Sequence, residues 1–246
     1  MLSASGATKR FGRTTALAAL DLEVQRGEVF CLLGANGAGK TTTIQLFLGF
    51  QSPDAGEIRV DGIEPWREPE RARKRLAYIP ENVALYPDLT GLENLSLFDA
   101  LAGRKRSRNE HLDALVWAGL SQPDALRAVA GYSKGMRQKV GLAIAYAKDA
   151  AALLLDEPMS GLDPQAAADF GAYVRRLRAE DRAVLMATHD IFRAQEIATR
   201  IGIMRSGRLL ETVDPAQVDA REIERIYLHH MREAAGSEQA VPVEVT

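Results

Sequence analysis

Short apolar runs recur along the chain, and between them apolar residues follow a helical spacing. The runs EVFCLL (28–33), LAYI (76–79), AALLL (151–155) and AVLMAT (183–188) are typical of strands buried on both faces. Residues 90–150 instead place apolar side chains three and four positions apart, which predicts helices. Because strands alternate with helices, we expect an α/β fold with a mostly parallel sheet.

The segment GEIRVDG has a different pattern, in which Ile58 and Val60 alternate with polar residues. The Asp61-Gly62 pair at its end is a hairpin-turn signal. Together with the N-terminal residues, this segment predicts a small antiparallel sheet beside the main one.

The helical stretch contains several start signals. Thr90 and Glu93 fit a capping box, in which each side chain accepts from the other residue's backbone N–H. Asn109 is a candidate cap for a second helix and Ser133 for a third. The sequence RKRSR between the first two helices predicts a solvated loop. We expect these helices to form an inserted helical subdomain over about residues 85–150.

The C-terminal part predicts one more helix. Apolar residues again follow helical spacing over residues 216–235. The rest of the chain, 236–246, is expected to be a flexible tail. Residues 1–215 would then form the main domain, into which the helical subdomain is inserted.

Composition restricts the function classes. The chain is 46% hydrophobic and 26% charged, as ordinary soluble proteins are, and its net charge of −2 predicts no nucleic-acid partner. Its one cysteine, Cys31, excludes an intrachain disulfide and favours the cytosol. The first residues lack an apolar signal-peptide core, and no apolar run approaches the ~20 residues that span a bilayer.

Polar residues follow four of the predicted strands. They are a glycine-rich loop after Leu33, Glu81, the pair Asp156-Glu157, and His189. In open α/β sheets, ligands bind beyond the carboxyl ends of the strands. We therefore expect these four groups to converge on one site.

The loop GANGAGKT fits the phosphate-binding pattern G-x-x-x-x-G-K-[ST]. Gly34, Gly37 and Gly39 permit a tight backbone whose N–H groups point at phosphate oxygens, at the positive end of the next helix. Lys40 would reach the β- and γ-phosphates, and the Thr41 hydroxyl would ligate Mg²⁺. This pattern predicts a P-loop NTPase.

The acidic pair after AALLL supplies the other half of such a site. Asp156 could hold the Mg²⁺ shell, and Glu157 could polarise a water for attack on the γ-phosphate. The alternative is a buried strand that ends in a solvated acidic pair, but the glycine loop favours the NTPase. No N-K-x-D guanine-reading segment follows, which disfavours a GTPase.

The segment YSKGMRQK narrows the class of NTPase. Here the chain resembles the ATP-binding subunits of ABC transporters, whose signature begins with Ser and Gly at a helix start, as Ser133 and Gly135 do. SGLDP resembles the family's D-loop, and ATHD places His189 at the position of its switch histidine. The resemblance covers about residues 1–215, with the motifs in the family's order, and implies a RecA-like P-loop core.

The resemblance also implies roles for individual residues. KRFG resembles the loop that stacks on adenine, which assigns that role to Phe11. The implied catalytic residues are Glu157, His189 and Lys40. The implied nucleotide-binding residues are Phe11, Gly34, Ala35, Asn36, Gly37, Ala38, Gly39, Lys40, Thr41 and Thr42. The implied Mg²⁺ ligands are Thr41, Asp156 and Glu81, and the residues contributed in trans are Ser133, Gly135 and Asp163.

In this family, one chain's glycine loop and another chain's signature helix enclose the same ATP. The resemblance therefore implies a homodimer, or a pair with a paralogous ATPase subunit. It also implies a separate transmembrane permease at the inner face of the cell membrane. ATP would close the pair, and hydrolysis would reopen it.

Some positions depart from the family pattern, among them Glu81 and Lys134. Glu81 stands where most relatives have glutamine, and its PEN sequence resembles a subset of exporter-type (ABC-2) subunits. A carboxylate there could bind Mg²⁺, contact the membrane partner, or lie on the surface after a proline. Lys134 stands where the signature often has a second glycine, which should alter contacts with the γ-phosphate.

Three functions fit the sequence. The leading hypothesis is an ATP-hydrolysing subunit that powers a permease, with exporter character indicated by PEN. The second is a soluble ABC-type ATPase of DNA repair or translation, which the absence of a heptad insertion and of a basic excess disfavours. The third is a regulatory module that binds ATP without turnover, which Glu157 and His189 disfavour.

Overall fold

The computed structural model describes residues 1–237, with side chains through Met231. The strands are β1 (Leu2–Phe11), β2 (Thr14–Val24), β3 (Val29–Leu33), β4 (Ala55–Val60), β5 (Leu76–Ile79), β6 (Ala152–Asp156), β7 (Ala183–Thr188), β8 (Arg200–Arg205) and β9 (Arg208–Val213). The helices are α1 (Lys40–Phe47), α2 (Pro69–Arg75), α3 (Gly91–Leu101), α4 (Arg108–Trp117), α5 (Gln122–Ala125), α6 (Lys134–Ala147), α7 (Pro164–Ala179), α8 (Ile191–Ile197) and α9 (Ala220–Ser237). A 3₁₀ turn lies at Val129–Gly131.

The main sheet has six strands in the order β5-β6-β7-β3-β8-β9. All neighbours are parallel except the β8–β9 hairpin, which confirms the expectation of a mostly parallel sheet. The four strands with polar residues after them, β5, β6, β7 and β3, are adjacent, so their carboxyl ends meet at one edge. This strand order brings together the polar residues that follow the four strands.

The sheet is buried on both faces, which explains its continuous apolar strands. In β3, Val29, Cys31 and Leu33 face one core, formed with α3, α4, α6, α7 and α8. Phe30 and Leu32 face the second core, formed with α1 and the N-terminal strands. Side chains that alternate along a strand therefore join two different layers.

The N-terminal sheet has the order β2-β1-β4 and is antiparallel, as the sequence predicts. The turn after β4 has positive φ at Asp61 (52°) and Gly62 (78°), as a type I′ hairpin turn requires. Only an isolated bridge between Val60 and Ile63 follows it, so the turn closes no further strand.

The helices α3 to α6 form the inserted layer, and their caps can be compared with the sequence prediction. Thr90 and Glu93 form the predicted capping box. The prediction that Asn109 caps the second helix is wrong, because Ser107 is the cap. Ser107 Oγ accepts from Glu110 N at 3.3 Å, and Glu110 Oε2 accepts from Ser107 N at 2.7 Å. This reciprocal pair satisfies two free N–H groups, whereas a cap at Asn109 would satisfy fewer.

The RKRSR segment is not simply a solvated loop. Arg104 donates to the Ala147 carbonyl at 2.6 Å, and Arg106 donates to the same oxygen. Arg106 also pairs with the buried Asp99 carboxylate at 3.1 Å. The two guanidinium groups satisfy the last turn of α6, where unpaired carbonyls favour cations.

The last helix begins at Ala220 rather than at residue 216. Asp214 Oδ1 accepts from Ala216 N at 2.9 Å and holds the preceding residues in a turn. Asp219 Oδ1 accepts from Glu222 N at 2.9 Å and provides the helix cap. Of the expected tail, residues 236–246, the first two belong to α9, which ends at Ser237, and the rest lies outside the described residues. Among the residues that the structure describes, no helix combines the length and the apolar content that a membrane span requires.

Candidate nucleotide-binding site

The glycine loop joins β3 to α1 through backbone that other residues would block. A Cβ at Gly34 would lie 2.4 Å from the Met204 carbonyl oxygen, and one at Gly39 would lie 2.7 Å from that of Ala16. Gly39 also has φ of 106°, and as the cap of α1 it offers no side chain to the first N–H groups. Those N–H groups therefore point into the loop, where an anion can accept from them.

Lys40 lies folded over this loop. Its ammonium donates to the carbonyl oxygens of Gly34 at 2.6 Å and Ala35 at 3.2 Å. It also lies 3.4 Å from Glu157 Oε1, and its side chain is only 6% exposed. A buried cation held by exchangeable oxygen atoms is suited to a ligand that brings stronger anionic oxygens.

Thr41 and Asp156 meet although 115 residues separate them, with Thr41 Oγ1 donating to Asp156 Oδ1 at 3.2 Å. Burial raises the pKa of Asp156 above its ordinary value, and the neighbouring Glu157 and Glu81 charges add to this, whereas Thr41 and Lys40 oppose it. A hydroxyl and a carboxylate are oxygen ligands of the kind Mg²⁺ takes beside substrate phosphates. The described residues contain no cluster of three His, Cys, Asp or Glu side chains that would form an all-protein metal cage. The residues therefore fit a Mg²⁺ that is shared with a phosphate ligand.

Glu157 lies between a cation and an imidazole. His189 Nδ1 and Glu157 Oε2 are 2.9 Å apart, and because a carboxylate only accepts, the Nδ1–H of His189 is the donor. The Glu157 backbone has φ of 47°, in the left-handed region, and its N–H donates to the Ala187 carbonyl at 3.0 Å. This strained turn after β6 directs the carboxylate toward Lys40 and His189.

These groups border one cleft of about 390 Å³. Its lining residues are Thr14, Thr15, Ala16, Ala35, Asn36, Gly37, Ala38, Gly39, Lys40, Thr41, Thr42, Glu81, Asp156 and Glu157. Three of the four polar strand ends thus contribute directly to the cleft, and His189 reaches it through Glu157. We call this space the loop cleft.

Phe11 does not line the loop cleft. It ends β1, pairs in register with Thr14 of β2, and is 44% exposed. Thr14 does line the loop cleft, so Phe11 lies next to the rim of the cleft, on the neighbouring strand. The Lys9 ammonium lies 5.5 Å from its ring centroid.

Ser133, Gly135 and Asp163 lie together, but none lines the loop cleft. Ser133 caps α6 by accepting from Met136 N at 3.3 Å, and Asp163 caps α7 by accepting from Ala166 N at 2.9 Å. A Cβ at Gly135 would lie 3.2 Å from the Ala166 Cβ, so the two helix starts are adjacent. We call this pair of helix starts the signature cluster.

Glu81 lines the loop cleft, and its carboxylate lies 3.6 Å from the Lys134 ammonium.

The sequence interpretation missed Gln138, which is 1% exposed and donates to the carbonyls of Pro80 at 3.3 Å and Glu81 at 2.9 Å. The position of this glutamine four residues before the buried Leu142, on one face of the predicted helix, was the signal that could have identified it.

Comparison with known proteins gives consistent results. Residues 17–160 match the family described as ABC transporter. A Nod factor export ATP-binding protein of Ralstonia nicotianae is 36% identical, covering 91% of this chain and 70% of that protein. A daunorubicin resistance ATP-binding protein of Streptomyces coeruleorubidus is 37% identical, covering 85% of this chain and 66% of that protein. The chain thus spans roughly two thirds of the length of these relatives.

A solved structure is similar over most of its length. It is a dimeric ATP-binding cassette in a post-hydrolysis state bound to ADP and Pi. Its TM-score to this chain is 0.78 at 25% identity, covering 87% of this chain and 99% of the other.

Proposed function

The chain belongs to the ABC transporter family, whose match at 17–160 covers more than half of it, and we propose that it is the ATP-hydrolysing subunit of an exporter. In this proposal, ATP closes two copies of the subunit, and hydrolysis reopens them. The movement powers a separate transmembrane permease at the cytoplasmic face of the membrane. Both relatives are ATP-binding proteins named for export or for drug resistance, which supports an exporter over a soluble ATPase of DNA repair or translation.

The observation that supports the proposal most strongly is a row of two contacts at the edge of the loop cleft, from Lys40 to Glu157 and from Glu157 to His189. Its distances are 3.4 Å from ammonium to carboxylate and 2.9 Å from carboxylate to imidazole. Phosphoryl transfer needs positioned charges more than covalent catalysis, so this row and a phosphate-binding loop are sufficient parts. A module that only binds ATP has no need of a carboxylate held by a histidine.

Each residue then has a defined task. Lys40 exchanges its loop carbonyls for the β- and γ-phosphate oxygens, and this exchange separates it from Glu157. Glu157, still oriented by His189, accepts a hydrogen bond from the attacking water and then its proton. Thr41 and Asp156 would hold Mg²⁺, which when bound neutralises charge on the phosphate oxygens.

A second copy would complete the site. The signature cluster contains the start of α6, whose first turn has no acidic residue and so favours an anion, yet it lies outside the loop cleft of its own chain. Head-to-tail pairing would place the Ser133, Gly135 and Asp163 of one copy over the loop cleft of the other. The dimeric cassette with ADP and Pi supports such an arrangement.

The decisive variant is Glu157→Gln. We expect it to keep ATP binding, to lose turnover by at least about 100-fold, and to accumulate a closed dimer with Mg²⁺ and ATP. The amide keeps the size of the side chain but cannot accept the proton. Steady-state phosphate release measures turnover, and sedimentation velocity measures the dimer.

Glu224→Gln is the matched control, because Glu224 is an exposed residue of α9 outside the loop cleft. It should hydrolyse ATP at the parental rate. Parental turnover by Glu157→Gln would remove the assigned role of Glu157. A Glu157→Gln protein that binds ATP and stays a monomer, also with its membrane partner present, would disprove the shared site.

A further inference from the structure

The ion pair between Lys134 and Glu81 joins the two half-sites of one chain. Lys134 is the first residue of α6, beside Ser133 of the signature cluster. Glu81 lines the loop cleft. Their charged atoms are 3.6 Å apart, and the two side chains are 30% and 48% exposed. Each residue thus belongs to a different proposed ATP site, and the pair connects the two sites.

The backbone beneath this pair is fixed. Residues 134, 138 and 141 lie on one face of α6, which faces the segment 80–83. Gln138 donates to the backbone carbonyls of Pro80 and Glu81. A Cβ at Gly141 would lie 3.1 Å from the Val83 side chain, so the segment packs closely on the helix. The Glu81 main chain is therefore held on α6, and its carboxylate is the part that can change partners.

The pair itself is weak enough to exchange. Ion pairs between partly exposed side chains contribute little to stability, because water and salt screen them. Lys134 also occupies the positive end of α6, and the first turn of α6 has no acidic residue to offset it. An anion with more charge than one carboxylate would therefore compete well for this ammonium.

Lys134 is positioned to reach a ligand at the signature cluster. Its ammonium lies 3.8 Å from where a Cβ of Gly161 would be, between Ser133 and the loop that leads to Asp163. We propose that Lys134 contacts the γ-phosphate of the ATP held by the partner copy, and that Glu81 is its counter-ion until that ATP arrives. This inference rests on the proposed head-to-tail dimer.

Two consequences follow from this exchange. Lys134 makes closure selective for ATP over ADP, because ADP lacks the γ-phosphate that displaces Glu81. The displaced carboxylate stays at its own chain's loop cleft, where it is free to approach the metal or the permease. ATP at one site thereby changes the charge available at the other.

The test uses the Glu157→Gln protein, in which turnover does not remove the ATP. Sedimentation velocity gives the dimer dissociation constant with Mg²⁺ and ATP for this parent and for added Lys134→Ala, Lys134→Arg and Glu81→Gln changes. We expect Lys134→Ala to weaken the dimer about tenfold, as the loss of one charge-assisted contact does. Arginine should restore most of the affinity, and Glu81→Gln should strengthen the dimer, because it removes the competing anion.

A matched control is available on the same helix. Lys139 is also on α6 and also pairs with a carboxylate, that of Asp169 at 3.5 Å, but on the side of α7. Lys139→Ala should leave the ATP-dependent dimer unchanged. With Mg²⁺ and ADP, Lys134→Ala and its parent should self-associate equally. The parent's dimer should also weaken more steeply with added salt than that of Lys134→Ala.

The outcomes separate this inference from the proposed function. Unchanged ATP-dependent dimerisation by Lys134→Ala would overturn the contact while leaving the dimer intact. Equal weakening with ATP and ADP, or no rescue by arginine, would show a structural role and would also overturn it. If the Glu157→Gln parent fails to dimerise with ATP, the head-to-tail dimer fails and the contact fails with it.

Discussion

At the residue scale, Asp156 shows how one environment serves two purposes. It ends a strand buried on both faces, which fixes its position, and the same burial raises its pKa. Burial disfavours an isolated charge, so the carboxylate gains most from a cation that arrives with the ligand. The Thr41 hydroxyl at 3.2 Å holds it in place until then.

This shift predicts a dependence of Mg²⁺-ATP binding on pH. A protonated Asp156 cannot ligate Mg²⁺, and because its pKa is raised, we expect affinity to be lost on acidification at a higher pH than an exposed aspartate would give. Titration of a fluorescent ATP analogue into Glu157→Gln at a series of pH values measures this. Asp156→Asn should bind the Mg²⁺ complex weakly, with no such dependence. A parent profile that stays flat down to pH values near the ordinary aspartate pKa would contradict the assignment.

Also at the residue scale, Gln138 holds the segment 80–83 on α6 through its side-chain amide. It is buried, and its Nε2 group has two carbonyl partners in segment 80–83. Its Oε1 atom has no hydrogen-bond partner within the described residues. A buried amide kept for its donor group alone indicates that holding this segment on α6 outweighs the desolvation cost of its oxygen.

At the scale of elements, the helical layer is held by caps and by links between helix ends. All four of its helices begin with a serine or threonine cap, at Thr90, Ser107, Ser121 and Ser133. Arg104 and Arg106 then tie the α3–α4 connection to the last turn of α6. The end of α6 opposite the signature cluster is thus anchored.

The Thr90 capping box provides a test of element stability. Thr90 Oγ1 accepts from Glu93 N at 3.1 Å, and Glu93 Oε2 accepts from Thr90 N at 2.8 Å. We expect Thr90→Ala to lower the free energy of unfolding by about 1 kcal/mol, because the first turn of α3 loses an acceptor. Urea denaturation of the full chain measures the change. Thr90→Ser, which keeps the hydroxyl, should retain most of the stability, and equal values for serine and alanine would disprove the role of the cap.

At the scale of the whole molecule, one sheet separates two cores and carries the loop cleft at its edge. The signature cluster lies outside this cleft, and in the proposed function each of the two is one half of an ATP site. Two copies related by a twofold axis satisfy both halves at once, because a twofold interface is self-complementary. The placement of the motifs therefore supports the proposed dimer.

At the scale of the whole molecule, the proposed function predicts that the chain binds a membrane protein. We expect the tagged chain, purified in mild detergent from its native cells, to bring down a stoichiometric protein with several membrane-spanning segments. The relatives named for export and resistance motivate this expectation. Extraction from cells with the untagged chain is the control. Recovery of ribosomes or DNA in place of a membrane protein would support the soluble ATPase instead.

The sequence by itself determined the elements and the motif residues. Strand runs, the Thr90 capping box and the glycine loop depend on residues near one another in the chain, so periodicity and turn chemistry were enough to identify them. Two predicted helix starts were wrong because a nearby residue provides the cap. Ser107 caps the helix for which Asn109 was expected, and Asp219 caps the last helix, which therefore begins later than expected. The helices α2, α7 and α8 were not predicted, and α2, with its arginine-rich sequence, has little apolar periodicity.

The sequence predicted that the polar strand ends converge, but only the tertiary structure decided which side chains make contact. The order β5-β6-β7-β3 brings Asp156 to Thr41 and Glu157 to His189, and Phe11, in the N-terminal sheet, does not line the cleft. The Lys134–Glu81 pair and the Gln138 contacts join segments that are more than 50 residues apart. Such contacts depend on how layers stack, and no local pattern encodes that. The physical reason is that periodicity reports which face of an element is buried, whereas packing selects its neighbour.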